Sequence, residues 1–79
     1  MYLSTLFGAD FVATFGDRLR YLRQQNKVKQ SDIAKLIGVS ERALRFYENG
    51  DREPNIDQLI KLADYFSVSV DYLVGRADE

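Results

Sequence analysis

Hydrophobic residues recur every three or four positions along most of this chain, which is the spacing of amphipathic α-helices. The first run predicts a helix over residues 10–25, with Gly16 as a weak point because glycine is a poor helix former. Its apolar stripe consists of Phe11, Val12, Phe15, Leu19 and Leu22. Asn26 follows, and asparagine suits the left-handed backbone conformation that ends many helices.

Two short helices are predicted next, over residues 30–37 and 41–49, on either side of a turn at Gly38 and Val39. Glycine tolerates a positive φ, so the second of these helices can leave the turn at a steep angle. Ser40 is a good N-cap for it. The residues expected to face the core are Ile33, Ala34, Ile37, Leu44 and Tyr47.

A fourth helix is predicted after a loop over residues 50–54. Asn55 and Gln58 have the spacing of a capping box, in which each side chain bonds the backbone of the other residue. The residues expected to form the buried stripe of this helix are Ile56, Leu59, Ile60, Leu62, Ala63 and Phe66.

A short fifth helix completes the pattern. Ser69 is its predicted N-cap, residues 70–74 form it, and Gly75 suits its C-terminal end. No segment shows the two-residue alternation of a half-buried strand over a useful length. We therefore predict an all-α fold of five short helices.

Length and composition limit what such a fold can do. The chain has 79 residues, which allows one domain and leaves no room for a cleft between two. It contains no cysteine and no histidine, so the usual zinc sites and Ser-His-Asp or Cys-His catalysis are excluded. No nucleophile–base pattern accompanies the acidic residues. We therefore predict that the protein is not an enzyme and has no catalytic residue, metal site or cofactor.

The chain also lacks the signals of membrane insertion and secretion. No stretch approaches the roughly 18 apolar residues of a membrane span. The first residues lack the basic start and the long apolar run of a secretory signal. We therefore expect a cytoplasmic protein with no membrane partner.

The charges are distributed unevenly, although the formal net charge is only −1. Residues 16–52 carry nine Lys or Arg against five Asp or Glu, and residues 53–79 carry two against six. A basic middle followed by an acidic end favours one face for a polyanion and another for solvent or protein. Ordinary surface charge is the alternative interpretation.

Residues 30–48 carry the most informative pattern, because they place two short helices around a glycine turn. The side of the second helix that faces away from the predicted core is polar and basic. It consists of Ser40, Glu41, Arg42, Arg45 and Phe46. A helix that enters the major groove of DNA presents such a side to the base edges.

This stretch resembles the lambda-repressor-like (Cro/repressor, Xre-type) helix-turn-helix family. The matching positions are Gln30, Ile33, Ala34, Gly38, Val39, Ser40, Leu44, Tyr47, Glu48 and Gly50. The similarity covers about residues 15–76, with five helices in the order and spacing of the family. It implies a compact DNA-binding domain over residues 15–76, an apolar extension over residues 1–14 and an acidic tail over residues 77–79.

The resemblance also implies a role for individual residues. The groove-facing positions of the family, which would read bases, are Ser40, Glu41, Arg42, Arg45 and Phe46. The residues that would contact DNA phosphates are Arg23, Lys29, Gln30, Asn49 and Arg52. Arg23 and Glu48 match a pair that often forms a buried ion pair between the first and third helices. Lys29 stands where serine or threonine usually caps the second helix, and Asn26 stands where glycine is common.

The chemistry of these side chains fits base reading. Arg42 or Arg45 can bond guanine through O6 and N7, Glu41 can accept from cytosine N4, and Phe46 can lie against a thymine methyl. Further sequence-independent attraction is expected from Arg18, Arg20, Lys27, Lys29 and Lys35.

Each assignment has an alternative. The two arginines can be solvated helix residues, Phe46 can pack in the core beside Tyr47, and Glu41 can stabilise the start of its helix. Arg23 and Glu48 can form an exposed pair that contributes little stability.

The first 14 residues are unusually apolar. The residues responsible are Tyr2, Leu3, Leu6, Phe7, Phe11 and Val12. Exposed on a monomer, they would form an adhesive patch. We expect this segment to extend the first helix, to contact a second subunit, or to be a disordered start.

These observations predict a sequence-specific regulator of transcription that binds double-stranded DNA. It is expected to be a repressor that acts as a homodimer on a near-palindromic operator, with half-sites about 34–36 Å apart. Candidate dimer contacts besides the N-terminal aromatic residues are Tyr65, Phe66, Val68, Val70, Tyr72 and Leu73. The alternative is an antitoxin or another module whose main partner is a protein, bound through the apolar N-terminal segment.

Residues 40–48 also look like the recognition helix of the MerR family. That family needs a winged domain and a long dimerising helix, and neither fits in 79 residues.

Overall fold

The structure, a computed structural model, describes residues 14–78 and contains no strand within them. It comprises five helices: α1 (Phe15–Gln25), α2 (Gln30–Ile37), α3 (Glu41–Asn49), α4 (Ile56–Phe66) and α5 (Val70–Leu73). Helix α1 packs against α3 and α5, α2 packs against α3 and α4, and α4 packs against α5. The all-α prediction with five helices is confirmed.

One fully buried side chain from each helix forms the centre of the core. These five are Leu19, Ile33, Leu44, Leu62 and Leu73. Helix α5 is only four residues long, and Leu73 is its buried residue. Leu73 was also a candidate dimer contact, and this proposal is wrong because the side chain is not accessible.

Helix α1 begins later than predicted. Thr14 has an extended backbone and its hydroxyl accepts from the backbone N–H of Asp17, whose carboxylate accepts from the backbone N–H of Thr14. This capping box starts the helix at Phe15 and not at residue 10. The expectations for residues 1–13, including Phe11 and Val12, lie outside the described residues.

The end of α1 also differs from the prediction. Asn26 is not left-handed (φ −95°); the following residue, Lys27, takes the positive φ of 56°. The side-chain amide of Asn26 instead donates to the carbonyl of Leu22 over 2.8 Å. At the start of α2, Lys29 provides no side-chain cap.

The buried stripe of α4 is narrower than predicted. Ile56 is 72% exposed and Ile60 is 46% exposed, so their expected burial is wrong. Leu62 and Ala63 are the buried residues of this helix. The neighbours α2 and α5 cover one side of α4, and both isoleucines lie at the edge of that side.

Gly16 lies where α1 crosses the end of α3. A Cβ at this position would overlap the carbonyl oxygens of Tyr47 and Glu48. The glycine is therefore a requirement for the close approach of the two helices and not a weak point, and this contact positions α3.

Candidate nucleic-acid interface

Local signals define both ends of the turn that leads into α3. Gly38 ends α2 in the left-handed conformation (φ 75°, ψ 35°). The hydroxyl of Ser40 accepts from the backbone N–H of Ala43 over 3.0 Å and so starts α3. Ser40 therefore serves first as a helix cap.

Helix α3 has an inner and an outer side. Its buried residues are Ala43, Leu44, Tyr47 and Glu48. Helical spacing directs the remaining residues away from the core. The residues of this outer side are Glu41, Arg42, Arg45, Phe46 and Asn49. All of them are exposed except Phe46, which is half-buried.

Phe46 is surrounded by cations at the surface. The guanidinium carbon of Arg42 lies 5.7 Å from the centre of its ring, and that of Arg52 lies 5.4 Å from it. Both distances fall within the range of a cation–π contact. The ring is therefore partly covered by two arginines, while its neighbour Tyr47 is buried in the core.

A buried carboxylate holds α3 against the two preceding helices. Arg23 donates from Nε to Glu48 Oε2 over 2.8 Å and from Nη2 to Oε1 over 3.2 Å. Gln30 donates from Nε2 to the same Oε1 over 3.1 Å. Only 2% of the Glu48 side chain is exposed, so these partners satisfy a charge that water does not reach. The network joins α1, α2 and α3 at one point.

This network changes the roles of two predicted phosphate contacts. Only 15% of the Arg23 side chain is exposed, and its Nη1 also donates to the carbonyl of Val28 over 3.3 Å. Arg23 therefore orients α3, and its contact with a DNA phosphate stays a prediction. Gln30 uses its amide nitrogen on Glu48 but lies at the first position of α2, beside the exposed Lys29.

Two of the basic residues expected to attract DNA form hydrogen bonds with backbone carbonyls of the protein itself. Arg18 donates from Nη1 to the carbonyls of Tyr72 and Ala77, over 3.0 Å and 2.6 Å, and its guanidinium lies 4.4 Å from the Tyr72 ring centre. Arg20 donates to the Glu48 carbonyl over 3.1 Å. Arg18 links α1 to α5 and to the residues that follow α5, so its guanidinium is not free for a direct phosphate contact.

Six exposed cations lie around α2 and α3. They are Lys27, Lys29, Lys35, Arg42, Arg45 and Arg52. Asn49 lies at the end of α3, and its side-chain oxygen accepts from Arg20 over 3.2 Å. The predicted base-reading residues thus share one side of α3, with predicted phosphate contacts at both ends of the two-helix unit.

Gly16 and Arg18 are the functional residues that sequence reasoning missed. Gly16 shares a helical side with Leu19, one turn later, and this was a signal for close packing. Nothing in the sequence distinguished Arg18 from the other basic residues.

Across residues 14–78, no group of three or more acidic side chains is placed to hold a metal ion. None of the helices described above is long and apolar enough to cross a membrane.

Comparisons with known proteins place this arrangement in a family. The helix-turn-helix family model matches residues 19–73. An uncharacterized HTH-type transcriptional regulator of Bacillus subtilis (strain 168), YobD, is 37% identical over 62 residues, which is 78% of this chain and 55% of YobD. This chain spans between 50% and 57% of the length of the first three curated relatives it matches.

Two solved structures share the fold. One is the c2 repressor protein of Salmonella phage P22 in complex with a synthetic operator, with a TM-score of 0.74, 33% identity, and coverage of 81% of this chain and 97% of that one. The other is a transcriptional regulator from Listeria innocua, with a TM-score of 0.78, 36% identity, and coverage of 87% and 64%. With five helices in the same arrangement and the family model matching most of its length, this chain is a member of the lambda-repressor-like helix-turn-helix family.

Proposed function

We propose that this chain binds double-stranded DNA in a sequence-specific manner and represses transcription. The observation that carries the proposal is the outer side of α3, where Arg42, Arg45 and Phe46 stand free of the core while Glu48 anchors the opposite side. Such a side supplies a donor fork for guanine and an apolar contact for thymine. The similarity to the P22 c2 repressor in its operator complex supports the same conclusion.

We infer that phosphate contacts flank this helix. No side chain caps the start of α2, so its first backbone N–H groups are open to an anion, with Lys29 and Gln30 beside them. At the other end of the two-helix unit, Asn49 is the last residue of α3 and Arg52 follows it in the loop. These contacts would set the register of α3 on the duplex without reading sequence.

We propose that the protein acts as a homodimer on a near-palindromic operator. A monomer reads one half-site, and pairing places two copies of α3 about 34–36 Å apart. Four exposed apolar side chains on α4 and around α5 are available for the contact: Ile56, Ile60, Val70 and Val74. Of the contacts predicted earlier, Tyr65 is 49% exposed, while Phe66, Val68 and Tyr72 pack partly against the core.

Two further expectations follow from this proposal. A regulator of transcription works where the DNA is, so we propose that the protein is cytoplasmic. We also propose that it has no enzymatic activity, because curated relatives that it matches are transcriptional regulators or repressors. A protein partner bound through the N-terminal segment, as an antitoxin would have, stays a prediction because residues 1–13 lie outside the described residues.

The test is a selection of bound duplexes from a random library at about 150 mM salt. Wild type is compared with Arg42→Ala/Arg45→Ala and with a matched control, Lys61→Ala/Arg76→Ala, which removes two exposed cations outside α2 and α3. We expect an inverted repeat for wild type and for the control.

The variant in α3 should lose this motif, since each guanine contact discriminates by about 1–3 kcal/mol. Strong binding without any motif would contradict sequence-specific recognition. Folded wild type that binds no duplex would contradict the proposed function as a whole and make a protein partner the next hypothesis.

A further inference from the structure

The cluster of Phe46, Arg42 and Arg52 has a composition that suggests what it binds. The ring is half-buried, lies on the outer side of α3 and has a guanidinium carbon 5.7 Å away on one residue and 5.4 Å away on the other. It is therefore an apolar surface with two cations beside it, on the side of α3 that the core does not use.

An aromatic ring of this kind can read only one feature of a base edge. Phenylalanine has no hydrogen-bond donor or acceptor, so it cannot distinguish bases by their polar groups. The apolar group exposed in the major groove is the C5-methyl of thymine. Contact between Phe46 and a base therefore favours a pyrimidine that carries a 5-methyl group.

Arg42 adds a polar requirement next to the apolar one. A cation–π contact with Phe46 uses the charge of Arg42 and no hydrogen-bond donor, so its N–H groups stay available for guanine O6 and N7. The contact also restricts the side chain before DNA arrives, which lowers the entropy lost on binding. Arg52 lies beyond the end of α3 and is suited to a phosphate.

The spacing of the two residues limits the spacing of the two bases. Arg42 and Phe46 are one turn apart, or about 6 Å along the helix axis. Successive nucleotides of one strand are about 3.4 Å apart. We propose that the Arg42–Phe46 pair recognises a guanine and a 5-methylpyrimidine within two base pairs of each other, with Arg52 on the adjoining backbone. This inference rests on the proposed function, because it assumes that α3 enters the major groove.

The test removes single methyl groups from an operator obtained by the selection above. Each thymine of a half-site is replaced in turn by deoxyuridine, which differs from thymidine only by that methyl. We expect one replacement to weaken binding about fourfold, the factor that corresponds to one buried methyl-sized group. The sensitive thymine should lie within two base pairs of a guanine. Replacement of that guanine should weaken binding by wild type but not by Arg42→Ala.

Variants of Phe46 assign the effect to the ring. Phe46→Ala should bind the thymine and deoxyuridine operators equally well, and Phe46→Leu, which keeps an apolar contact, should retain part of the difference. Tyr21→Ala removes another aromatic residue, 54% exposed on α1 and outside the proposed dimer contact, and should behave like wild type. Circular dichroism and thermal unfolding establish that each variant is folded.

Two outcomes would overturn the inference while the proposed function stands. One is a selected operator in which no thymine responds to loss of its methyl. The other is a methyl effect that persists in folded Phe46→Ala, because another residue would then read that group. Failure to select any operator would instead count against the proposed function.

Discussion

Glu48 shows how one side chain can connect the core of this protein to its recognition surface. It is the one charged residue that the structure buries among residues 14–78. Its partners come from α1 and α2, while its own helix carries Arg42 and Arg45 on the other side. The carboxylate thereby sets the rotation of α3 about its axis, and that rotation decides which residues would face DNA in the proposed complex.

We predict that Glu48→Gln destabilises the protein by about 3 kcal/mol, since it leaves the buried Arg23 without its counter-charge. Urea denaturation measures the change. The control is Glu53→Gln, a fully comparable replacement at an exposed loop position, which should change the free energy of unfolding by less than about 0.5 kcal/mol. Equal losses in the two variants would show that the ion pair contributes little.

The sequence anticipated the pairing of Arg23 with Glu48 through the family resemblance. It did not anticipate that Gln30 shares the carboxylate or that Arg18 is not free for a direct phosphate contact. Both findings depend on side chains that meet across helices, 18 residues apart for Gln30 and 54 for Arg18.

At the scale of elements, the crossing of α1 and α3 determines how far the recognition helix stands from the core. Gly16 permits the backbone of α1 to lie directly on the carbonyl groups at the end of α3. Any side chain at this position would separate the two helices, and the separation would also stretch the ion pair of Arg23 with Glu48.

We predict that Gly16→Ala destabilises the protein by about 2 kcal/mol, as overpacking does, although alanine is the better helix former by about 1 kcal/mol. Thermal unfolding is the measurement. The control is Gln24→Ala on an exposed position of the same helix, which should be neutral or stabilising. A stable Gly16→Ala protein would mean that α1 and α3 can move apart without cost.

At the scale of the whole molecule, charge and apolar surface are divided among the elements. The exposed cations of α2, α3 and their flanking loops serve the proposed DNA contact, while Asp57, Asp64 and Asp71 lie exposed on α4 and α5. The apolar residues Ile56 and Ile60 are exposed on α4, a different helix from those that carry the cations. This division suits a dimer that pairs through α4 and α5 and leaves α3 free.

We predict that Ile56→Lys/Ile60→Lys prevents the proposed dimer from forming, because like charges would replace the four isoleucine side chains that such a dimer would bury. Sedimentation velocity measures the mass. Thermal unfolding should change little, since both residues lie outside the core.

The control for this prediction is Tyr21→Lys, at another large apolar residue that is 54% exposed, on α1. It should leave the assembly state unchanged. Dissociation by both variants would show that α4 is not a specific interface. A double-lysine variant that stays dimeric would exclude α4 as the contact.

By itself, the sequence determined the fold class, the two-helix unit and most of the helix ends. Ser40, Asn55 and Ser69 cap the predicted helices because a cap bonds a backbone N–H only three residues away. Such interactions depend on local spacing, which can be read directly from the order of residues.

Tertiary structure alone decided which side of each helix is covered and which charges remain free. Ile56 and Ile60 fit the apolar period of α4 yet are exposed, and Arg18 resembles the other basic residues yet is bound to Tyr72 and Ala77. The physical reason is that hydrophobic periodicity defines the apolar side of a helix but not how much of that side the neighbouring helices cover. The covered area and the partners of a long side chain both depend on residues that are distant in sequence and that only the folded chain brings together.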